Sequence, residues 1–168
     1  MLGEWELKRE RAACVLVKWR QDADRITPTG MYTISSVNLA HLKTQRLDEF
    51  FNTLSVFFAN IPNNITLAKE KYYQSLCFAV FKLIGLNTNA EVNTNIVRLD
   101  CVIEMDETIY IIEFKLDGTK EQALQQIIDN KYAQAFQLSD KKVILIGAEF
   151  DKQGRNIAGV VSQSANTS

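Results

Sequence analysis

The chain has 168 residues, 46% of them hydrophobic and 23% charged, enough apolar material for the core of one globular domain and too much for a disordered chain. Lys and Arg number 19 against 20 Asp and Glu, giving a net charge of -1 and a pI near 5.9, which excludes a chain-wide basic surface for gripping phosphate backbones. Cys14, Cys77 and Cys101 are odd in number, far apart and set among apolar residues, which fits reduced, buried thiols better than a disulfide framework or a zinc site.

The chain opens with Glu4, Glu6, Lys8 and Arg9 where a signal peptide needs an apolar stretch. No run approaches the ~18 apolar residues of a membrane span, so a soluble, cytoplasmic protein without membrane contact is expected. Across residues 4–24, Trp5, Ala12, Val15, Leu16 and Trp19 recur at helical spacing, and the segment closes near Thr27-Pro28-Thr29-Gly30. Residues 1–45 are therefore read as an N-terminal helical extension.

A helix is expected over 45–60, with Leu47, Phe50, Phe51, Leu54, Phe57 and Phe58 as a core-facing stripe and Ile61-Pro62 as its stop. A second spans 67–84, with Tyr72, Leu76, Val80 and Leu83 on one face, Tyr73, Cys77 and Phe81 beside it, and Gly85 at the C-terminal stop. An Asn-rich loop over 87–95 leads into an antiparallel hairpin formed by 96–104, a turn at Met105-Asp106-Glu107-Thr108, and 109–116. A helix over 119–138, turning Leu124, Ile127, Ile128 and Ala135 inward, leads to a buried strand over 142–150. Strand, crossover helix and apolar strand imply a parallel pair. Residues 46–160 form the expected domain, and 161–168, rich in Ser, Asn and Gln, a disordered tail.

Pairing Glu104 with Ile109 and Val102 with Ile111 places Asp100 across from Glu113, both on one face of the hairpin. Opposed carboxylates are destabilising unless something positive lies between them, and here they interrupt strongly apolar strands. A divalent cation answers that need, because Mg²⁺ uses one or two carboxylates completed by water and substrate oxygens. Lys115, two residues after Glu113, faces the same way and supplies a second positive charge. The competing reading, charges decorating a solvated sheet face, is weakened by the apolar neighbours of Asp100 and Glu113. His41 is the only histidine, and nothing around it suggests a nucleophilic mechanism, so a surface or capping role is expected.

These residues sit within a longer pattern: Leu47-Asp48-Glu49-Phe50-Phe51 with Ile61-Pro62, then Glu70-Lys71-Tyr72-Tyr73-Gln74-Ser75-Leu76, Arg98-Leu99-Asp100 and Tyr110-Ile111-Ile112-Glu113-Phe114-Lys115-Leu116. It continues through Ala123-Leu124-Gln125-Gln126-Ile127 and Lys131-Tyr132 to the strand from Lys141 to Gly147. The pattern resembles the PD-(D/E)XK nuclease superfamily, and within it the small domain at the C-terminus of AAA-ATPase-like bacterial proteins. The resemblance implies a restriction-endonuclease-like α/β core with a mixed central sheet flanked by helices.

It further implies a metal-dependent nuclease that hydrolyses phosphodiester bonds in DNA with Mg²⁺ or Mn²⁺. By that resemblance Asp100, Glu113 and the backbone carbonyl of Phe114 are metal ligands, Glu70 completes the shell or serves as a helix N-terminal glutamate, and Lys115 orients or polarises the attacking water. Gln126 flanks the site, whereas Lys131 and Tyr132 are read as part of a polar helix face. The family usually has Gly where Val97 stands, before Arg98-Leu99-Asp100. The alternative is a catalytically inactive nuclease-fold module that binds nucleic acid or a protein partner. A homodimer and a separate ATPase partner are compatible with either reading, since the chain contains no Gly-x-x-x-x-Gly-Lys-Ser/Thr loop.

Overall fold

The computed structural model describes residues 38–59, 70–93, 98–151 and 156–165. The expected helix over 4–24, the seam at Thr27-Pro28-Thr29-Gly30, the Ile61-Pro62 stop and Val97 lie outside them. A short helical stretch, 38–43, precedes α1 (Leu47–Ala59) and α2 (Glu70–Leu83). Strands β1 (Asn87–Asn93), β2 (Arg98–Glu104) and β3 (Thr108–Lys115) lead to α3 (Lys120–Asp129) and a 3₁₀ turn (Tyr132–Phe136), then to β4 (Lys142–Asp151) and β5 (Asn156–Ser164).

The five strands lie in chain order β1-β2-β3-β4-β5, antiparallel except for the parallel pair β3/β4, which α3 connects. This is the expected mixed sheet flanked by helices. Alternation sorts the side chains between two layers. Cys101 and Ile103, Tyr110, Ile112 and Phe114, and Ile144, Ile146 and Ala148 pack against α1 and α2. Val102, Ile109, Ile111, Val143 and Leu145 pack with Ile127 and Tyr132 on the opposite side.

Each helix is seated by a recognisable local device. In α1 the stripe Phe50, Phe51, Leu54 and Phe58 is buried, while Asp48 and Glu49 occupy the first turn, where the helix dipole favours acids. Helix α2 buries Tyr73, Leu76, Cys77, Val80 and Phe81. It is closed by the Leu86 N–H donating to the Phe81 carbonyl at 2.9 Å and the Gly85 N–H to that of Lys82 at 3.1 Å. Gly85 has φ +82°, the left-handed cap that the sequence places there. Helix α3 begins in a reciprocal capping box between Thr119 and Gln122, and the Lys120 N–H donates to Glu149 Oε2 at 3.2 Å.

Three expectations are corrected. The Asn-rich loop is the edge strand β1, paired with β2 from Asn87↔Glu104 to Asn93↔Arg98. Pairing and the burial of Thr88 outweigh the poor strand propensity of asparagine. The helix expected over 119–138 stops at Asn130: Lys131 takes a left-handed φ of 54°, and a 3₁₀ turn follows. Ala123 and Ile127 are therefore its buried residues, whereas Ile128 and Ala135 are exposed. Finally, β5 runs through Ser164, pairing Leu145↔Gln163 and Ile144↔Ser164, so residues 161–164 belong to the sheet and not to a tail. Among the described residues no helix is long and apolar enough to cross a membrane.

Gly147 sets how closely α3 approaches the sheet. It pairs with Glu113 across β3/β4, and a Cβ there would lie 2.1 Å from the Lys120 carbonyl oxygen and 2.6 Å from the Leu124 nitrogen. Both are backbone atoms that cannot swing aside. Gly147→Ala is expected to lower the unfolding free energy by about 1–3 kcal/mol in urea titrations, the usual range for overpacking; an unchanged midpoint would mean that α3 does not rest on β4 at this point.

Candidate active site

The expected hairpin register holds, with Glu104↔Ile109, Val102↔Ile111 and Cys101↔Ile112 as pairs. The paired ladder ends at Cys101↔Ile112, one step short of Asp100 and Glu113. There the carboxylate of Asp100 takes a backbone partner: the Phe114 N–H donates to its Oδ2 at 3.1 Å. Asp100 thus lies where β2 and β3 part, with its side chain between them.

Asp100 Oδ2 also accepts from Gln74 Nε2 at 2.8 Å. Gln74 is on α2, in the layer opposite α3, so the carboxylate is reached by groups from the sheet and from a helix. Both donors converge on one oxygen. Glu113 is only 3% exposed, held between Ile112 and Phe114, which are fully buried against the α1/α2 layer. Its own carboxylate lies on the α3 face, where Oε1 accepts from Gln126 Nε2 and stands 3.8 Å from Lys115 Nζ. Lys115 pairs with Glu149 across β3/β4, keeping its stem on the same face as Glu113.

Around Gln126 the network extends to Tyr132, which is 3% exposed. Its hydroxyl accepts from Asn130 Nδ2 at 3.0 Å and is hydrogen-bonded to Gln126. Burial, and then the charges of Glu113 and Asp100, push the Tyr132 hydroxyl above its ordinary pKa, while the bonds to Gln126 and Asn130 act the other way. The ring is neutral at physiological pH and within electrostatic reach of both carboxylates.

Asp100, Glu113, Lys115 and Gln126 are thus brought together, with the backbone of Phe114 touching Asp100. The Phe114 ring points away, stacked 5.6 Å from Phe150 in the other layer. Glu70 is the first residue of α2, four residues before Gln74. Sequence reasoning missed two members. Gln74 had a signal, four residues after Glu70 in the motif-bearing stretch, but a neutral amide draws no attention beside charged groups. Tyr132 reads as part of a polar face in a helix expected to run to 138; the left-handed Lys131 breaks that helix and turns Tyr132 inward.

The donor set matches a hard divalent cation. Among the described residues no three His, Cys, Asp or Glu side chains cluster to form a metal cage. One or two carboxylates are what Mg²⁺ uses when water and substrate oxygens complete its shell. Neither described cysteine contributes: Cys77 and Cys101 are free and buried in the α1/α2 layer.

Burial, and then the neighbouring charge of Asp100, push the Cys101 thiol up to about 12, with Lys82 opposing. Burial and Cys101 raise Cys77 as well. Above pH 9 the unfolded chain releases thiol protons that the folded chain keeps, so the folded state's advantage is complete below that pH and is lost on the way to about 12. Urea midpoints measured from neutral pH upward are expected to fall across this window, with a shallower fall in Cys101→Ala. Equal slopes in the two proteins would show that Cys101 ionises normally.

A model of the PD-(D/E)XK nuclease superfamily matches residues 68–159, more than half of the chain. An uncharacterised protein encoded in the vnfD 5′ region of Azotobacter chroococcum mcd 1 is 32% identical over 117 residues, 66% of this chain. The chain spans 23% of that relative's length. No solved structure matches significantly.

Proposed function

This chain belongs to the PD-(D/E)XK nuclease superfamily, and from that membership we propose that it is a Mg²⁺- or Mn²⁺-dependent phosphodiesterase acting on DNA in the cytoplasm. The observation that carries the reading is the pair Asp100 and Glu113 on neighbouring strands, each fixed through one oxygen by a glutamine amide, with the Lys115 ammonium beside Glu113. Asp100, Glu113 and the backbone carbonyl of Phe114 would hold the cation, with Glu70, the first residue of α2, the candidate to complete its shell. When bound, the cation lowers the pKa of its water and neutralises charge developing on the phosphate.

The chain's own groups have separate tasks. Gln74 and the Phe114 N–H hold the carboxylate of Asp100 in place, and Gln126 holds that of Glu113. Lys115 is partly exposed, with 22% of its side chain accessible, so its ammonium meets a phosphodiester arriving from solvent while its stem stays packed on β3. There it orients the attacking water and offsets negative charge on the phosphate. With a net charge of -1, the chain gains its attraction for nucleic acid locally, from the cation and Lys115. Free, buried Cys77 and Cys101 suit a reducing compartment.

Supercoiled plasmid, linear duplex and branched DNA incubated with Mg²⁺ or Mn²⁺ are expected to be cut, and a chelator to stop the cutting. Lys115→Ala and Asp100→Asn are each expected to reduce the rate by about 100-fold or more, the scale for losing one transition-state-stabilising group. Cleavage that survives both substitutions at the wild-type rate would overturn the assignment.

A further inference from the structure

We infer that Gln74 is a positioning residue for Asp100, setting the orientation in which that carboxylate meets a divalent cation. The inference rests on the metal-dependent reading above and adds to it a residue outside the acid-acid-lysine set. Its basis is geometric. Asp100 stands beyond the last paired residues of the β2/β3 ladder, where regular strand pairing no longer fixes its backbone relative to β3. Two donors replace that constraint, and both act on Oδ2: the Phe114 N–H at 3.1 Å and Gln74 Nε2 at 2.8 Å.

The two donors come from different bodies. Phe114 belongs to the same strand as Glu113 and so ties Asp100 to its partner acid. Gln74 belongs to α2, which is anchored through Tyr73, Leu76 and Cys77 in the core and closed by the cap at Gly85. Oδ2 is thus held both from the strand that carries Glu113 and from the helix that carries Gln74. An amide also suits the task chemically, because it donates without adding a charge to compete with the cation.

The test uses Mn²⁺ alone as probe, titrated calorimetrically into the full chain and into Gln74→Leu and Gln74→Glu, with urea midpoints measured in parallel. Gln74→Leu is expected to weaken Mn²⁺ binding by about 10- to 100-fold, the usual cost of removing a group that orients a metal ligand. Gln74→Glu, which keeps the shape but replaces the donor with an acceptor, is expected to orient Asp100 no better than Gln74→Leu. In cleavage assays the half-saturating Mn²⁺ concentration rises in Gln74→Leu and the maximal rate returns towards wild type at saturating Mn²⁺, a split that a merely destabilised protein does not give. Wild-type affinity in Gln74→Leu would overturn the inference while leaving the metal-dependent reading intact. Weakened binding that only tracks a lowered urea midpoint would also overturn it. No Mn²⁺ binding by the wild-type chain would instead overturn the metal-dependent reading and this inference with it.

Discussion

Two carboxylates on adjacent strands of an apolar sheet repel each other, and much of the molecule is arranged around that repulsion. Asp100 and Glu113 are one step beyond the last ladder pair of β2 and β3, and Glu113 is almost fully enclosed. Charges placed so need compensation close by. Helix α2 supplies it to Asp100 through Gln74, and α3 supplies it to Glu113 through Gln126. The sheet contributes the Phe114 N–H and the Lys115 ammonium. The two helix layers, seated on opposite faces, therefore converge at the open end of one hairpin.

That convergence explains features that otherwise look incidental. The glycine at 147 lets α3 lie against β4 beside Glu113, and the capping box at Thr119 with Glu149 at the first turn fixes where the helix begins. The break at Asn130 and Lys131 ends α3 early enough for Tyr132 to fold under it and bond to Gln126. On the other side, the left-handed cap at Gly85 ends α2 and sends the chain into β1. These devices are local, and they set where α2 ends and where α3 begins, ends and meets the sheet.

Most of this frame was legible in the sequence, for definite reasons. A tight turn between two apolar runs fixes a hairpin register, because a slip of one residue would exchange the side chains that β2 and β3 send to the α1/α2 layer with those they send to the α3 layer. The phenylalanine stripe of α1 and the apolar face of α2 are equally hard to misread. What was hidden depended on partners distant in sequence. The polar segment from Asn87 to Asn93 is a strand only because β2 offers it an edge. Strand β5 is Ser- and Gln-rich near its end and becomes ordered by pairing with β4. Gln74 and Tyr132 carry no chemical signature on their own, and their part follows from where Asp100 and Gln126 stand.

We propose that Asp100 and Glu113 hold one divalent cation between them. Calorimetric titration of Mn²⁺ into the wild-type chain and into Asp100→Asn and Glu113→Gln tests it most directly, since each substitution keeps the shape and removes one charge. One Mn²⁺ is expected to bind per chain in the wild type, with binding abolished or greatly weakened in both variants. Binding that persists unchanged in both, or no binding by the wild-type chain, would contradict it.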